Sequence, residues 1–159
     1  MQQLDNVDLQ LLGCLQEDNL RTADQLAELV GRSPSAIARR LRRLRAEGLI
    51  AAECAQLSER AAGNPLSALV QIQLERHAPQ EGDRLRRRLV ASANVQLCLD
   101  ISGTFDIMLL VVAPDMAAFN AFADEVLAEH PAVRRFETSF VKKRVKATLA
   151  FPLRGVQAT

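Results

Sequence analysis

Residues 22–48 (TADQLAELVGRSPSAIARRLRRLRAEG) carry the start and stop signals of two short helices separated by a tight turn. The opening Thr-Ala-Asp-Gln has the spacing of a capping box, which starts a helix. Gly31 permits the turn, and Ser33 followed by Pro34 is a typical start for the second helix. The pattern therefore predicts a helix-turn-helix motif over residues 22–46.

The second predicted helix is apolar on one side and rich in arginine elsewhere. Ile37, Leu41 and Leu44 fall at i, i+4 and i+7, which is one face of an α-helix. From residue 32 to residue 45 there are six arginines and no acidic residue. Such arginine runs are often only solvated faces, but a helix of this kind that follows a turn suits the DNA major groove. We therefore expect the chain to bind double-stranded DNA.

Helical geometry divides the candidate DNA-contacting residues by role. The expected DNA-binding residues are Arg32, Ser33, Ser35, Ala36, Arg39, Arg40 and Arg43. Ser35, Ala36 and Arg39 are the candidates for reading bases, because arginine suits guanine and small residues contact the thymine methyl group. The other arginines of this set are candidates for phosphate contacts, and Ser33 lies at the helix end that enters the groove. Arg42 and Arg45 are expected to face solvent.

Composition limits the remaining possibilities. The chain has 159 residues and a formal net charge of +1, so that affinity for DNA must come from a local patch rather than from overall charge. It has no apolar run of membrane-spanning length and no signal-peptide pattern at its start. Three widely spaced cysteines match neither a disulfide framework nor a zinc site. We therefore expect a cytoplasmic protein without membrane contact, bound metal or cofactor.

The first part of the chain reads as a compact three-helix domain. Residues 4–17 predict a helix that precedes the helix-turn-helix motif, and residues 49–57 predict a short extended segment, either a small wing or a strand. We assign residues 1–57 to a winged-helix-like domain. Residues 58–65 contain a charged pair, a glycine and an Asn-Pro step, which are typical of a linker.

From residue 66 onward the apolar residues alternate, which indicates strands. Strands are predicted at 66–74, 95–102, 105–113 and 133–141, helices at 80–91 and 115–129, and residues 145–151 are the candidate for a fifth strand. The order βαββαβ is that of a ferredoxin-like domain, which we place over residues 66–159. The predicted fold class is therefore α+β.

The third predicted strand, residues 105–113, is apolar on both sides. Because two helices cover only one face of such a sheet, the other face would be left in water on a monomer. A second copy of the sheet, packed face to face, would cover it. We therefore expect a homodimer, whose two-fold symmetry suits an operator with two symmetric half-sites.

Three segments together resemble the Lrp/AsnC family of transcription regulators, also called feast/famine regulators. They are LDNVDLQLLGCLQEDNLRTADQLAELVGRSPSAIARRLRRLRAEGLI at the start, ISGTFDIMLLVVAPDMAAF with its Gly-x-x-Asp pattern, and the tail FVKKRVKATLAFPL. The resemblance covers nearly the whole chain. It implies DNA binding, amino-acid sensing, and dimers that can assemble further into octamers.

The resemblance also implies an effector site in a cleft between subunits. Its residues here are Gly103, Thr104, Asp106, Thr138 and Ser139. An amino acid needs donors for its carboxylate and an acceptor for its ammonium group. Gly103 allows close backbone approach, and Asp106 can accept from the ammonium group. The alternative is that residues 102–104 are merely a hairpin turn, with Asp106 as its local acceptor.

The side-chain character of the effector is predicted from Phe105, which stands where the family often has a tyrosine. Together with Ile107, Met108 and Leu110 it offers apolar surroundings without a hydroxyl group. Burial of a charged side chain there without a partner would be unfavourable. We therefore expect an amino acid with an apolar side chain, such as leucine or methionine.

Two other functions are considered. A small ferredoxin-like enzyme is disfavoured because the chain has two histidines, His77 and His130, each at a predicted helix boundary, no tyrosine and no paired carboxylates at a useful spacing. We therefore expect no catalytic residue. A winged-helix regulator without any ligand is the other alternative.

Overall fold

The computed structural model describes residues 4–75 and 79–153, and these form two compact units. The first unit extends to Gln56 and includes the segment that begins at Lys146, whereas the second spans Leu57–Val145. The sequence pattern placed residues 146–153 in the C-terminal domain, but they cluster with the first unit. His77 lies outside the described residues.

The described part of the first unit contains three helices: α1 (Asn6–Glu17), α2 (Ala23–Val30) and α3 (Pro34–Ala46). The predicted capping box is present, because Thr22 Oγ1 accepts from the Gln25 N–H at 3.3 Å and the Thr22 N–H donates to Gln25 Oε1 at 2.8 Å. Gly31 ends α2 in the left-handed conformation with φ +67°, and Ser33 caps α3. The predicted helix-turn-helix is therefore confirmed.

The three helices pack around a small apolar core. Its buried members are Leu11, Leu26, Ala27, Ile37 and Leu41. Residues 49–57, predicted as a wing or strand, form no strand, and nearly all of their side chains are exposed. A strand needs a partner for its backbone N–H and C=O groups, and none pairs with this segment within the described chain.

The second unit is an antiparallel sheet with helices on one side. Its elements are β1 (Leu66–Leu74), α4 (Pro79–Ala91), β2 (Val95–Asp100), β3 (Ile107–Ala113), α5 (Met116–Ala123) and β4 (Val133–Phe140). Within the described residues the sheet has four strands in the order β2-β3-β1-β4, which is the ferredoxin-like arrangement. The predicted fold class is confirmed.

Two elements differ from the prediction. The helix expected to run to residue 129 is α-helical only to Ala123 and continues as a π-helical turn, Asp124–Ala128. The fifth strand expected at 145–151 does not form, and its apolar side chains Val145, Leu149 and Phe151 are exposed. Apolar residues do alternate along this segment, but no neighbouring strand within the described residues pairs with it.

Only one face of the sheet is covered. Val70 and Ile72 of β1, with Leu109 and Val111 of β3, are buried in one core with residues of α4 and α5. On the opposite face Leu69, Leu97 and Leu99 are 39%, 38% and 40% exposed. The apolar second face expected from the sequence is therefore present on the single chain.

Substitution of Gly31 tests whether the turn between α2 and α3 requires the left-handed backbone conformation. A β-carbon there would meet no atom within 4 Å, so that the cost of a side chain is conformational rather than steric. We expect Gly31→Ala to lower the free energy of unfolding by about 1–2 kcal/mol in denaturant titration. Gly31→Asn is the control and should cost less, because asparagine tolerates the left-handed conformation. An equal loss in both variants would contradict this explanation.

Candidate DNA-binding surface and effector site

The outward side of α3 presents three polar residues in a row. Ser35, Arg39 and Arg42 are exposed on the side away from the buried residues Ile37, Leu41 and Leu44. Ala36 is half-buried at the margin of this row. Arg42 was assigned to solvent from the sequence, although its spacing from Ser35 and Arg39 already placed it on the same side. The three residues define the outward row of α3.

The N-terminal end of α3 is also exposed. Ser33 Oγ accepts from the Ala36 N–H at 3.4 Å as the helix cap, and it lies 3.3 Å from Ser35 Oγ. Arg32 Nη1 donates to the carbonyl oxygen of Gly31 at 2.9 Å. The hydroxyl of Ser33 therefore has a structural role, while the side chain of Arg32 remains at the surface.

Arg40 and Arg43 lie on a different side of α3, facing α1. Arg40 Nη1 donates to Asp5 Oδ2 at 2.7 Å and to Asp8 Oδ1 at 2.8 Å. Arg43 Nη2 donates to the second oxygen of Asp8. The Asp8 side chain is 1% exposed, whereas the arginine side chains are 25% and 30% exposed. Both guanidinium groups, predicted to hold phosphates, are thus engaged by carboxylates.

Hydrogen bonds and ion pairs lower the pKa of two carboxyl groups in the first unit, those of Asp5 and Glu53. The backbone N–H of Asp8 and the guanidinium of Arg40 hold the pKa of the Asp5 carboxyl below its usual value. Arg45 Nη2 and Glu53 Oε1 are 2.8 Å apart, and this pair lowers the pKa of Glu53.

The six arginines near α3 therefore fall into two groups. The arginines paired with carboxylates are Arg40, Arg43 and Arg45. Arg32, Arg39 and Arg42 have no carboxylate partner within residues 4–75 and 79–153. The unpaired group combines the outward row with the N-terminal end of the helix.

The predicted effector residues begin at the turn between β2 and β3. Gly103 has φ +147° and is exposed, as is Thr104. Asp106 Oδ2 accepts from the Leu74 N–H at 2.7 Å, and the Asp106 N–H donates to the Ile72 carbonyl oxygen at 2.9 Å. Asp106 thus closes the end of β1 and keeps one carboxylate oxygen for other partners.

Thr138 and Ser139 lie on β4, two strand positions from β3. Thr138 is opposite Val70 and Ser139 is opposite Leu69, so that they point to different faces of the sheet. Because β1 lies between β3 and β4, the backbones of these two strands are about 10 Å apart. One protomer therefore does not bring the five residues into a single pocket, and their use in a cleft between subunits stays a prediction.

Arg135 was not considered in the sequence-based site. Its guanidinium carbon is 5.2 Å from the centre of the Phe105 ring, and its Nε donates to Gln73 Oε1 at 3.0 Å. The alternation of β4 places Arg135 on the same face as Ser139. This periodicity could have identified it as a cation beside the predicted effector turn.

A helix-turn-helix with exposed arginines on its second helix, followed in the chain by a separate ferredoxin-like domain, defines a two-domain regulator of the DNA-binding class. Comparison with known protein families leads to the same class. Residues 4–51 match the winged helix-turn-helix DNA-binding family, and residues 67–151 match the Lrp/AsnC ligand binding domain. The chain belongs to the Lrp/AsnC family.

Individual relatives match over almost the whole length. An HTH-type transcriptional regulator of Sinorhizobium fredii is 36% identical over 95% of this chain and 89% of its own. The Bkd operon transcriptional regulator of Pseudomonas aeruginosa is 34% identical over 96% of this chain and 100% of its own. The crystal structure of a Neisseria meningitidis transcriptional regulator in complex with L-Met has a TM-score of 0.89 and 30% identity, covering 96% of this chain and 98% of that one. The protein is thus a transcriptional regulator with a DNA-binding and a ligand-binding domain.

Two further types of site are absent from the residues that the structure describes. Among residues 4–75 and 79–153, no helix is both long and apolar enough to cross a membrane. The same residues contain no group of three or more His, Cys, Asp or Glu side chains arranged to hold a metal ion.

The outward row of α3 is tested by Arg39→Ala. If Arg39 reads a base, its loss should weaken binding to the preferred sequence by about 1–3 kcal/mol and relax the base preference at one position. The measurement is fluorescence anisotropy on DNA selected from a random pool and on a scrambled duplex. Arg87→Ala on α4, another exposed arginine, is the control and should leave both affinities unchanged. An equal loss on the two duplexes would contradict base reading by Arg39.

Proposed function

We propose that the protein regulates transcription by binding a two-fold symmetric operator as a homodimer, in response to an amino acid with an apolar side chain. The single observation that carries the DNA-binding part is the outward row of α3, where Ser35, Arg39 and Arg42 are exposed together. Arg32, Ser33 and Ala36 would contact DNA near the N-terminal end of the helix.

The domain division at residues 1–57, 58–65 and 66–159 is part of this proposal.

The homodimer is proposed from the open face of the sheet. Leu69, Leu97 and Leu99 lie there beside the half-buried Met108 and Leu110. Face-to-face packing of two such sheets would remove this apolar surface from water at about 25 cal/mol per Å². Further assembly of dimers into an octamer is the family expectation that we extend to this chain.

The effector part rests on the turn before β3. We propose that Gly103, Thr104 and Asp106 hold the amino and carboxylate groups of the ligand, with Thr138 and Ser139 contributing across the cleft between subunits. Phe105, packed against Arg135, leaves an apolar ring rather than a hydroxyl at this turn. The L-Met complex of the Neisseria meningitidis relative supports an apolar amino acid.

A ligand-independent regulator is the second candidate, and one observation favours it. The carboxylate of Asp106 already accepts from the Leu74 N–H at 2.7 Å, which would be sufficient reason for an aspartate at this turn. The two candidates differ in whether the negative charge of Asp106 is needed, because an amide oxygen accepts the same hydrogen bond.

Asp106→Asn separates these two candidates. The asparagine keeps an acceptor for the Leu74 N–H but lacks the negative charge that forms an ion pair with an ammonium group. We expect wild-type protein to bind L-methionine or L-leucine in calorimetry, and the variant to bind at least about tenfold more weakly, which corresponds to roughly 1.4 kcal/mol. An unchanged melting temperature would show that the turn is intact. Equal affinity in the variant, or a wild-type preference for lysine or glutamate, would contradict the proposed effector site.

Leu97→Glu combined with Leu99→Glu tests the dimer. Two charges on the open face should prevent sheet packing and yield a monomer in sedimentation velocity at micromolar concentration. Val90→Glu is the matched control, since Val90 is 73% exposed on α4, on the other side of the sheet. A double variant that sediments like the wild type would exclude this face as the interface.

A further inference from the structure

Asp8 is the only charged side chain that is buried among residues 4–75 and 79–153. It occupies the third position of α1, where its carboxylate accepts from the Asp5 N–H at 3.3 Å and completes the capping box. Both of its oxygens also face α3 and meet the guanidinium groups of Arg40 and Arg43. One carboxylate therefore joins the start of α1 to the middle of α3.

Separation of Asp8 from Arg40 and Arg43 would cost free energy. A buried carboxylate that loses its partners is left charged in a poorly solvated site, which is strongly unfavourable. Arg40 is held more firmly still, because it also pairs with Asp5 at 2.7 Å. A DNA phosphate that drew either arginine away from α1 would have to compensate for the loss of these pairs.

The charge balance of the first unit makes this restraint important. Residues 4–56 contain seven arginines, no lysine and eight carboxylates. Their net charge is therefore not positive, and attraction to DNA depends on which arginines remain unpaired. With Arg21, Arg40, Arg43 and Arg45 paired to carboxylates, the available cations of residues 4–56 are those of Arg32, Arg39 and Arg42.

We propose that Asp8, assisted by Asp5, is a specificity-determining residue that withholds Arg40 and Arg43 from the DNA backbone. Phosphate contacts carry no sequence information, so that each contact withheld lowers affinity for all DNA alike. Base contacts made from the outward row of α3 then form a larger share of the binding free energy. This inference rests on the proposed DNA binding through α3.

The first experiment measures the salt dependence of binding to a random-sequence duplex. Each phosphate contact contributes a slope of about −0.9 to log K against log salt concentration. We expect Asp8→Asn to steepen the slope by about 0.9, because Arg43 loses its close carboxylate partner whereas Arg40 is still held by Asp5. The ratio of specific to non-specific affinity should fall. Glu28→Gln on α2, an exposed carboxylate, is the control for the loss of one negative charge.

A second pair of variants does not depend on the stability of Asp8→Asn. Arg32 and Arg40 are both candidates for phosphate contacts, but only Arg40 is held by carboxylates. Arg32→Gln should flatten the salt slope by about 0.9, and Arg40→Gln should leave it unchanged. Asp5→Asn should steepen the salt slope less than Asp8→Asn does, because it releases Arg40 from one partner only. The helix cap is kept in this variant, since asparagine caps a helix as well as aspartate.

The outcomes separate the two levels of the proposal. Equal flattening in Arg32→Gln and Arg40→Gln, or an Asp8→Asn slope no steeper than that of Glu28→Gln, would overturn the role of Asp8 while leaving DNA binding through α3 intact. Absence of any DNA binding by the wild type would overturn the proposed function and this inference together.

Discussion

The first unit depends on a carboxylate that has two structural functions. Asp8 caps α1 together with Asp5, and it also binds the arginines of α3, so that the placement of the recognition helix depends on how α1 begins. A carboxyl whose pKa is lowered by folding stabilises the folded state above its usual pKa, and this contribution is lost as the pH falls through the lowered value. The pKa of Asp5 is lowered in this way, so its contribution is present in full at neutral pH and is lost only in acid.

The second unit depends on apolar surface that is left uncovered. Helices α4 and α5 bury one face of the sheet, and the other face keeps Leu69, Leu97 and Leu99 partly in water. A monomer with this face would be at risk of nonspecific association. This uncovered apolar face is therefore the reason for proposing that two copies of the domain pack together.

Much of the fold could be predicted from the sequence because its signals are local. The capping box at Thr22, the N-cap at Ser33, the glycine at 31 and the alternation from 66 to 74 depend on neighbours within a few residues, and each was found where predicted. A wing or strand was predicted at 49–57 and a fifth strand at 145–151, but neither segment forms a strand. A strand needs a neighbouring strand to pair with, and the spacing of apolar residues does not reveal whether one is present.

The roles of the arginines were harder to predict for a related reason. Periodicity gives the angle of a side chain around its helix but not the group that lies across from it. Arg40 and Arg43 appeared equivalent to the outward residues until Asp5 and Asp8, more than thirty residues earlier, were placed against them.

The small number of unpaired cations has a consequence for how such a regulator would work. Within residues 4–56 only Arg32, Arg39 and Arg42 lack a carboxylate partner, so that one unit neutralises few phosphates and its affinity for DNA at physiological salt is expected to be low. Two units joined through their second domains gain an effective concentration for the second half-site, which multiplies the affinity without a new contact. Binding to an operator would then depend on the spacing that the dimer imposes between its two units. A ligand that alters this spacing by a small amount would change occupancy strongly, although it touches no residue of α3. Weak individual units are in this sense what would make the proposed control by an effector effective.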